Sequence, residues 1–137
     1  MQYVEQIIKR LENNSKEHEA VKLITRHIAV KYHARVVPFS KEGNNYLIIT
    51  NDKFDIAITI CDTDKYKVIK IEDFAINENY RFKGLGTELI KDIIKISKEN
   101  KCIVGLWCDR KNILAQRFYT RLGFNHVDTK NDYWYEA

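Results

Sequence analysis

Very little in this sequence can interrupt regular structure: it holds 1 proline and 5 glycines in 137 residues. With 45% hydrophobic residues beside so few breakers, the chain reads as a folded unit and not as a linker or low-complexity tail. Cysteine is scarce as well. The 3 present, Cys61, Cys102 and Cys108, are odd in number and form no C-x-x-C pair, which excludes a disulfide framework. Cys102 and Cys108 bracket an apolar run and read as reduced core residues. The 4 histidines, His18, His27, His33 and His126, show no ligand spacing, so no metal is expected. No run approaches the roughly 18 apolar residues of a membrane span. The start, Met1-Gln2-Tyr3-Val4-Glu5, lacks the basic and apolar segments of a signal peptide, so a cytoplasmic protein without membrane partners is expected.

A strong excess of either charge is missing too. The net charge is +4 and the sequence pI about 8.9. That balance suits a partner carrying phosphates. Basic residues are nevertheless interleaved with acids, as in Lys16-Glu17-His18-Glu19, the pattern of a solvated mixed face. Such a face gives nucleic acid only weak, salt-sensitive contact, so no specific nucleic-acid partner is expected.

What the sequence does have is clear periodicity. Val4, Ile7, Ile8 and Leu11 repeat at helical spacing, Asn13-Asn14-Ser15 breaks the pattern, and Val21, Ile24, Ile28 and Tyr32 resume it in a second helix. Ser15 is placed to cap that helix, and Pro38 marks the exit. The middle third alternates with period 2. Tyr46 to Thr50, Phe54 to Ile60 and Lys67 to Ile76 are strands, joined by turns at Asn51-Asp52 and Asp62-Thr63-Asp64. Gly84 to about Lys98 returns to helical spacing, and Lys101 to Asp109 is a nearly continuous apolar run, as in a strand covered on both faces. Asn112 to Leu122 is a further helix stopped by Gly123. Phe124 to Asp128 and Tyr133 to Glu136 close a final hairpin. Residues 1–137 read as a single α+β domain.

Chemistry concentrates in Phe74-Ala75-Ile76-Asn77-Glu78-Asn79-Tyr80-Arg81-Phe82-Lys83-Gly84-Leu85-Gly86-Thr87. A strand ends near Ile76, and two glycines open an amphipathic helix. Free amides at a helix N-terminus, with the positive end of its dipole, form an anion site. Gly84 and Gly86 remove the Cβ atoms that would keep a phosphate away, and Arg81 and Lys83 add charge. A pyrophosphate at this helix start is the expectation. No P-loop lysine follows a suitable glycine, and a Rossmann site would need glycine where Leu89 stands.

The spacing R-x-x-G-x-G after an antiparallel meander resembles the acetyl-CoA motif of the GNAT N-acyltransferase superfamily. Asn112, Ala115 and then Phe118-Tyr119-Thr120-Arg121-Leu122-Gly123-Phe124 resemble its other signature. The resemblance covers about residues 45 to 137. It implies a mixed, mainly antiparallel sheet flanked by helices, here with two N-terminal helices and no first strand. The missing strand leaves a sheet edge open, which favours a homodimer, although Arg35 to Phe39 are placed to fill it in part.

The resemblance also implies acetyl-CoA as cosubstrate and a primary amine as acceptor, whether small molecule or protein. Phe74, Ala75 and Ile76 then offer backbone to the pantetheine arm. Arg81, Phe82, Lys83, Gly84, Leu85, Gly86 and Thr87 wrap the pyrophosphate, and Asn112 is first a helix N-cap and second a coenzyme contact. Tyr119 takes the place of the acid that protonates the departing thiolate, its plainer use being a core aromatic. Glu72 takes the place of a base, with Lys70 on its face and Asp73 on the opposite one. A non-catalytic module that binds acyl-CoA or docks a protein is the rival expectation from the same residues.

Overall fold

The computed structural model describes residues 19–60, 66–127 and 134–137. The first expected helix, the Ser15 cap of the second, Cys61, the turn at residues 62–64 and most of the final loop lie outside them. Helix α1 (Glu19–Lys31) buries Val21, Ile24 and Ile28, the stripe that helical spacing assigns to it. It ends well before Pro38, which lies inside strand β1 (Arg35–Lys41). Strands β2 (Asn44–Thr50), β3 (Phe54–Ile60) and β4 (Lys67–Ile76) follow, then α2 (Leu85–Glu99), β5 (Cys102–Trp107), α3 (Ile113–Arg121), β6 (Asn125–His126) and β7 (Trp134–Glu136). No described helix is long and apolar enough to cross a membrane.

The seven strands among the described residues form one sheet in the order β1-β2-β3-β4-β5-β7-β6. Every pairing is antiparallel except β4 with β5. The three-strand meander read from the sequence is therefore a four-strand one. β1 was underread because Pro38 interrupts its pattern, yet proline is tolerated on an edge strand, where no outer partner needs its missing N–H. Arg35–Lys41 thus covers the edge of β2 in full register, from Arg35↔Thr50 to Lys41↔Asn44. The turn into β3 is built by Asn51, whose side-chain oxygen accepts from the N–H groups of Lys53 (2.8 Å) and Phe54 (3.1 Å).

Register explains the core. Val36↔Ile49↔Ile56 and Leu47↔Ile58↔Ile71 form two cross-strand rows on one face of the sheet. Against that face pack α1 and α2, through Ile24 and Ile28 and through Leu89, Ile90 and Ile93. A polar clamp on Asp92 holds the two helices together. Its Oδ2 accepts from Lys31 Nζ at 2.8 Å, His27 Nε2 at 3.0 Å and the Tyr32 hydroxyl at 3.2 Å. Lys31 also pairs with Glu88 at 3.0 Å. Burial opposes the Asp92 charge, but these donors outweigh it and hold the carboxyl below its usual range. On the second face, Gly105 lies under the Trp134 ring and Val68, and a Cβ there would collide with both. Glu136 accepts from Trp134 Nε1 at 2.8 Å and from the Tyr66 hydroxyl at 2.9 Å.

Candidate active site

β4 has two different halves. Residues 67–71 pair with β5, ending at Ile71↔Leu106, and 69–71 of these also pair with β3 on the other side. Beyond that point β5 pairs with β7 alone, through Trp107↔Trp134, and residues 72–76 keep only β3. One edge of this half-strand is left for something other than a strand. Phe74, Ala75 and Ile76 line a groove of about 660 Å³ there.

A bulge changes the phase of β4 at the same place. Ala57 faces Asp73 but Ile58 faces Ile71, so Glu72 has no partner across the pair. Phe74 faces Ile56 and so shares the helix-covered face with Ile71, three residues earlier. Lys70 and Asp73 take the other face, opposite Thr59 and Ala57. The strict alternation expected from the sequence, with Phe74 in phase with Lys70, does not hold here, because an unpaired residue resets the period. Glu72 instead ion-pairs with Lys70 at 2.7 Å. Asp73 bends back so that its Oδ1 accepts from the Phe74 N–H at 2.9 Å.

The other wall of the groove is the start of α2. Asn77 caps a short 3-10 turn (Glu78–Tyr80), accepting from the Asn79 N–H at 3.2 Å. Arg81 Nε donates to the Ile76 carbonyl at 2.9 Å, which locks the loop onto the strand end. Gly84 has φ +81° with open space where a Cβ would stand, so this glycine is required by backbone conformation and leaves room for a ligand. Gly86 has a different reason. A Cβ there would approach Phe74 Cζ to 3.4 Å and Ile76 and Phe118 to 3.6 Å, so it brings helix, strand and α3 together. Arg81, Phe82, Gly84, Leu85, Gly86 and Thr87 all line the groove; Lys83 does not, its Nζ standing 6.0 Å from the Tyr80 ring centroid.

α3 closes the third side. Its N-cap is Asn112, whose side chain accepts from the Ala115 N–H at 3.1 Å and is not part of the groove lining. Its end is a Schellman turn: Gly123, at φ +100°, donates to the Thr120 carbonyl and Phe124 to that of Tyr119. The matching hydrophobic contact is Tyr119 against Phe124, with ring centroids 5.4 Å apart. Phe118 stacks on Phe74 at 6.5 Å with the planes 9° apart. Burial, then the neighbouring Cys108 and Asp73, push the Tyr119 hydroxyl up to about 12. Burial likewise raises the Cys108 thiol.

Three lining residues were not singled out from the sequence: Tyr80, Phe118 and Arg121. Phe118 and Arg121 flank Tyr119 in F-Y-x-x-L-G-F, and spacing of three along α3 puts them on a common face, a usable signal. The carboxylate whose field reaches Tyr119 is Asp73, one residue after the expected Glu72. Only the bulge reveals that, and nothing in the residue types announces it. No cluster of His, Cys, Asp or Glu able to hold a metal occurs among the described residues.

Residues 41–124 match the model of the acetyltransferase (GNAT) family. An uncharacterized N-acetyltransferase of Methanocaldococcus jannaschii is 36% identical over 70 residues, which is 50% of this chain but only 31% of that protein's length. Among solved structures, NAA60 of Arabidopsis thaliana, in complex with a bisubstrate analogue, superposes with a TM-score of 0.54 at 17% identity, over 70% of this chain and 76% of that one. A GNAT family acetyltransferase of Listeria monocytogenes gives 0.54 at 17% identity, over 67% and 63%. At such identities these likenesses speak for the fold, while the family match extends from the β1–β2 turn to the end of the Schellman turn. The chain belongs to the acetyltransferase (GNAT) family.

Proposed function

We propose that this acetyltransferase moves an acetyl group from acetyl-CoA to a primary amine by direct attack, with both substrates bound together. The observation that carries the reading is the half-strand 72–76, free of its parallel neighbour, meeting the helix start behind Gly84 and the Phe118–Arg121 face of α3 in one groove, with the buried Tyr119 next to Phe118 behind that lining. Main-chain groups at Phe74, Ala75 and Ile76 hold the pantetheine arm in the manner of a strand neighbour. Amides from Lys83 to Thr87 hold the pyrophosphate at the positive end of the α2 dipole. A thioester carbonyl beside Phe74 takes its N–H as an oxyanion donor, for which the Asp73 carboxylate moves off that N–H.

An amine of ordinary pKa is neutral in only about one molecule in 2,500 at pH 7, so a proton acceptor matters. Such an acceptor is worth on the order of 10²–10⁴ in rate. Glu72 is tied to Lys70, whereas the Asp73 carboxylate holds the Phe74 N–H and its charge reaches Tyr119, and we assign the base role to Asp73. The amine nitrogen bonds the acyl carbon, the carbon–sulfur bond breaks, and the thiolate takes the Tyr119 proton. Asp73, having received the amine proton, returns one to Tyr119. A hydroxyl pushed up to about 12 does not ionise by itself at neutral pH, so it is ready as a donor in every turnover.

Isothermal titration with acetyl-CoA, followed by thiol release on a panel of amines, tests the reading. Binding with thiol release on at least one amine is expected. A well-folded protein that takes up no acetyl-CoA refutes it. Tight binding with no release on any amine leaves the rival, an acyl-CoA-binding module without turnover. Trapping of an acyl group on a cysteine would end direct attack.

A further inference from the structure

Phe82 combines two unfavourable features. Its ring is fully solvent-exposed, at 104% of the reference area, while its backbone sits at φ +62°. Left-handed backbone is disfavoured for a bulky non-glycine residue, and an apolar ring in water gains nothing from packing. Glycine or asparagine would make the same turn without either penalty. Outliers of this kind concentrate at ligand sites, where the surrounding structure holds them in place. Here the holding is visible: the loop is pinned by Arg81 on the Ile76 carbonyl and by the capped turn at Glu78–Tyr80.

The position of the ring says what would cover it. Phe82 lines the groove, two residues before Gly84, so their Cα atoms are at most about 7 Å apart. The same loop carries cations: Lys83 Nζ lies 6.0 Å and Lys53 Nζ 5.5 Å from the Tyr80 ring centroid, and Phe82 stands between Arg81 and Lys83 in sequence. A flat, uncharged ring flanked by phosphates fits this rim. We propose that Phe82 is a stacking platform for the adenine ring of the acyl-CoA, set at the groove mouth by the left-handed turn. This inference rests on the acyl-CoA reading above and adds which end of the coenzyme recognises this loop.

Titration of acetyl-CoA and of acetyl-4′-phosphopantetheine, which shares the thioester arm but has no adenosine, separates the two. Wild type is expected to bind acetyl-CoA the more tightly. Phe82→Ala should weaken acetyl-CoA on the order of tenfold, as loss of base–aromatic stacking does, and leave acetyl-4′-phosphopantetheine unchanged. Phe82→Trp should retain the wild-type preference. Phe82→Gly, which relieves the turn but removes the ring, should behave like alanine. Equal weakening of both compounds in the alanine variant, or no weakening of either, overturns the proposal. So does wild type binding both compounds equally, which leaves the acetyl-CoA reading intact. Wild type binding neither compound sinks both.

Discussion

The two halves of β4 share a strand but not a role. Residues 67–71 pair with β5, 69–71 are sandwiched between β3 and β5, and Val68, Ile69 and Ile71 are buried. Residues 72–76 keep β3 alone, contain the bulge, and have no fully buried side chain. The first half is ordinary core at Val68, Ile69 and Ile71, with its main chain paired into the sheet. The second half leaves main-chain groups and one face of Phe74 for another molecule. The site lies where the sheet stops being a sheet, and the bulge at Glu72 decides which side chains look into it.

Tyr119→Phe breaks the open half most sharply. Loss of its donor should lower kcat by on the order of 10²–10⁴, with acetyl-CoA affinity and thermal stability nearly unchanged, as titration and a melting curve would show. An unchanged kcat would return Tyr119 to the status of a core aromatic. Paired carboxylate variants sharpen the phase argument. Asp73→Asn should cost on the order of 10² in kcat, while Glu72→Gln should cost under about tenfold. The reverse ranking would restore strict alternation through residue 72 as the better guide to function.

The closed half answers to stability instead. Gly105→Ala drives a methyl into Trp134 and Val68, both in the dry second face of the sheet. Overpacking of that kind costs about 1–3 kcal/mol, read by denaturant unfolding. Acetyl-CoA affinity per folded molecule should not change, because the groove begins past the last β4–β5 pair.

Much of this contrast was legible beforehand, and the part that was not has a physical reason. Helical spacing located α1, α2 and α3, and Asn112 and Gly123 marked the ends of α3 correctly, because caps depend on local chemistry. The Gly84 turn was legible for the same reason. Two things were hidden. Pro38 masked an edge strand whose existence depends on pairing with β2, a non-local fact. The bulge at Glu72 follows from strand register, and one unpaired residue put Asp73 on the face of Lys70 and Phe74 on the other. Gly86 was read as room for phosphate but is needed by Phe74 and Phe118, which only packing shows.

The smallest effect belongs to the clamp that joins α1 to α2, away from both halves of β4. Asp92 is held below its usual carboxylate range, so its contribution is fully present above its unfolded value and fades as pH falls through the folded one. The Asp92→Asn variant should lose about 1–2 kcal/mol near neutral pH, where its charged donors are left short of an acceptor. Wild type should then lose stability faster than the variant as pH drops from about 5 toward 3, so the two curves converge on acidification. Chemical denaturation at several pH values would show it. Curves that stay parallel would mean that Lys31, His27 and Tyr32 find other acceptors, with Glu88 the nearest at hand. The helix pair would then be held by the packing of Ile24, Ile28, Leu89 and Ile93 together with the Lys31–Glu88 pair.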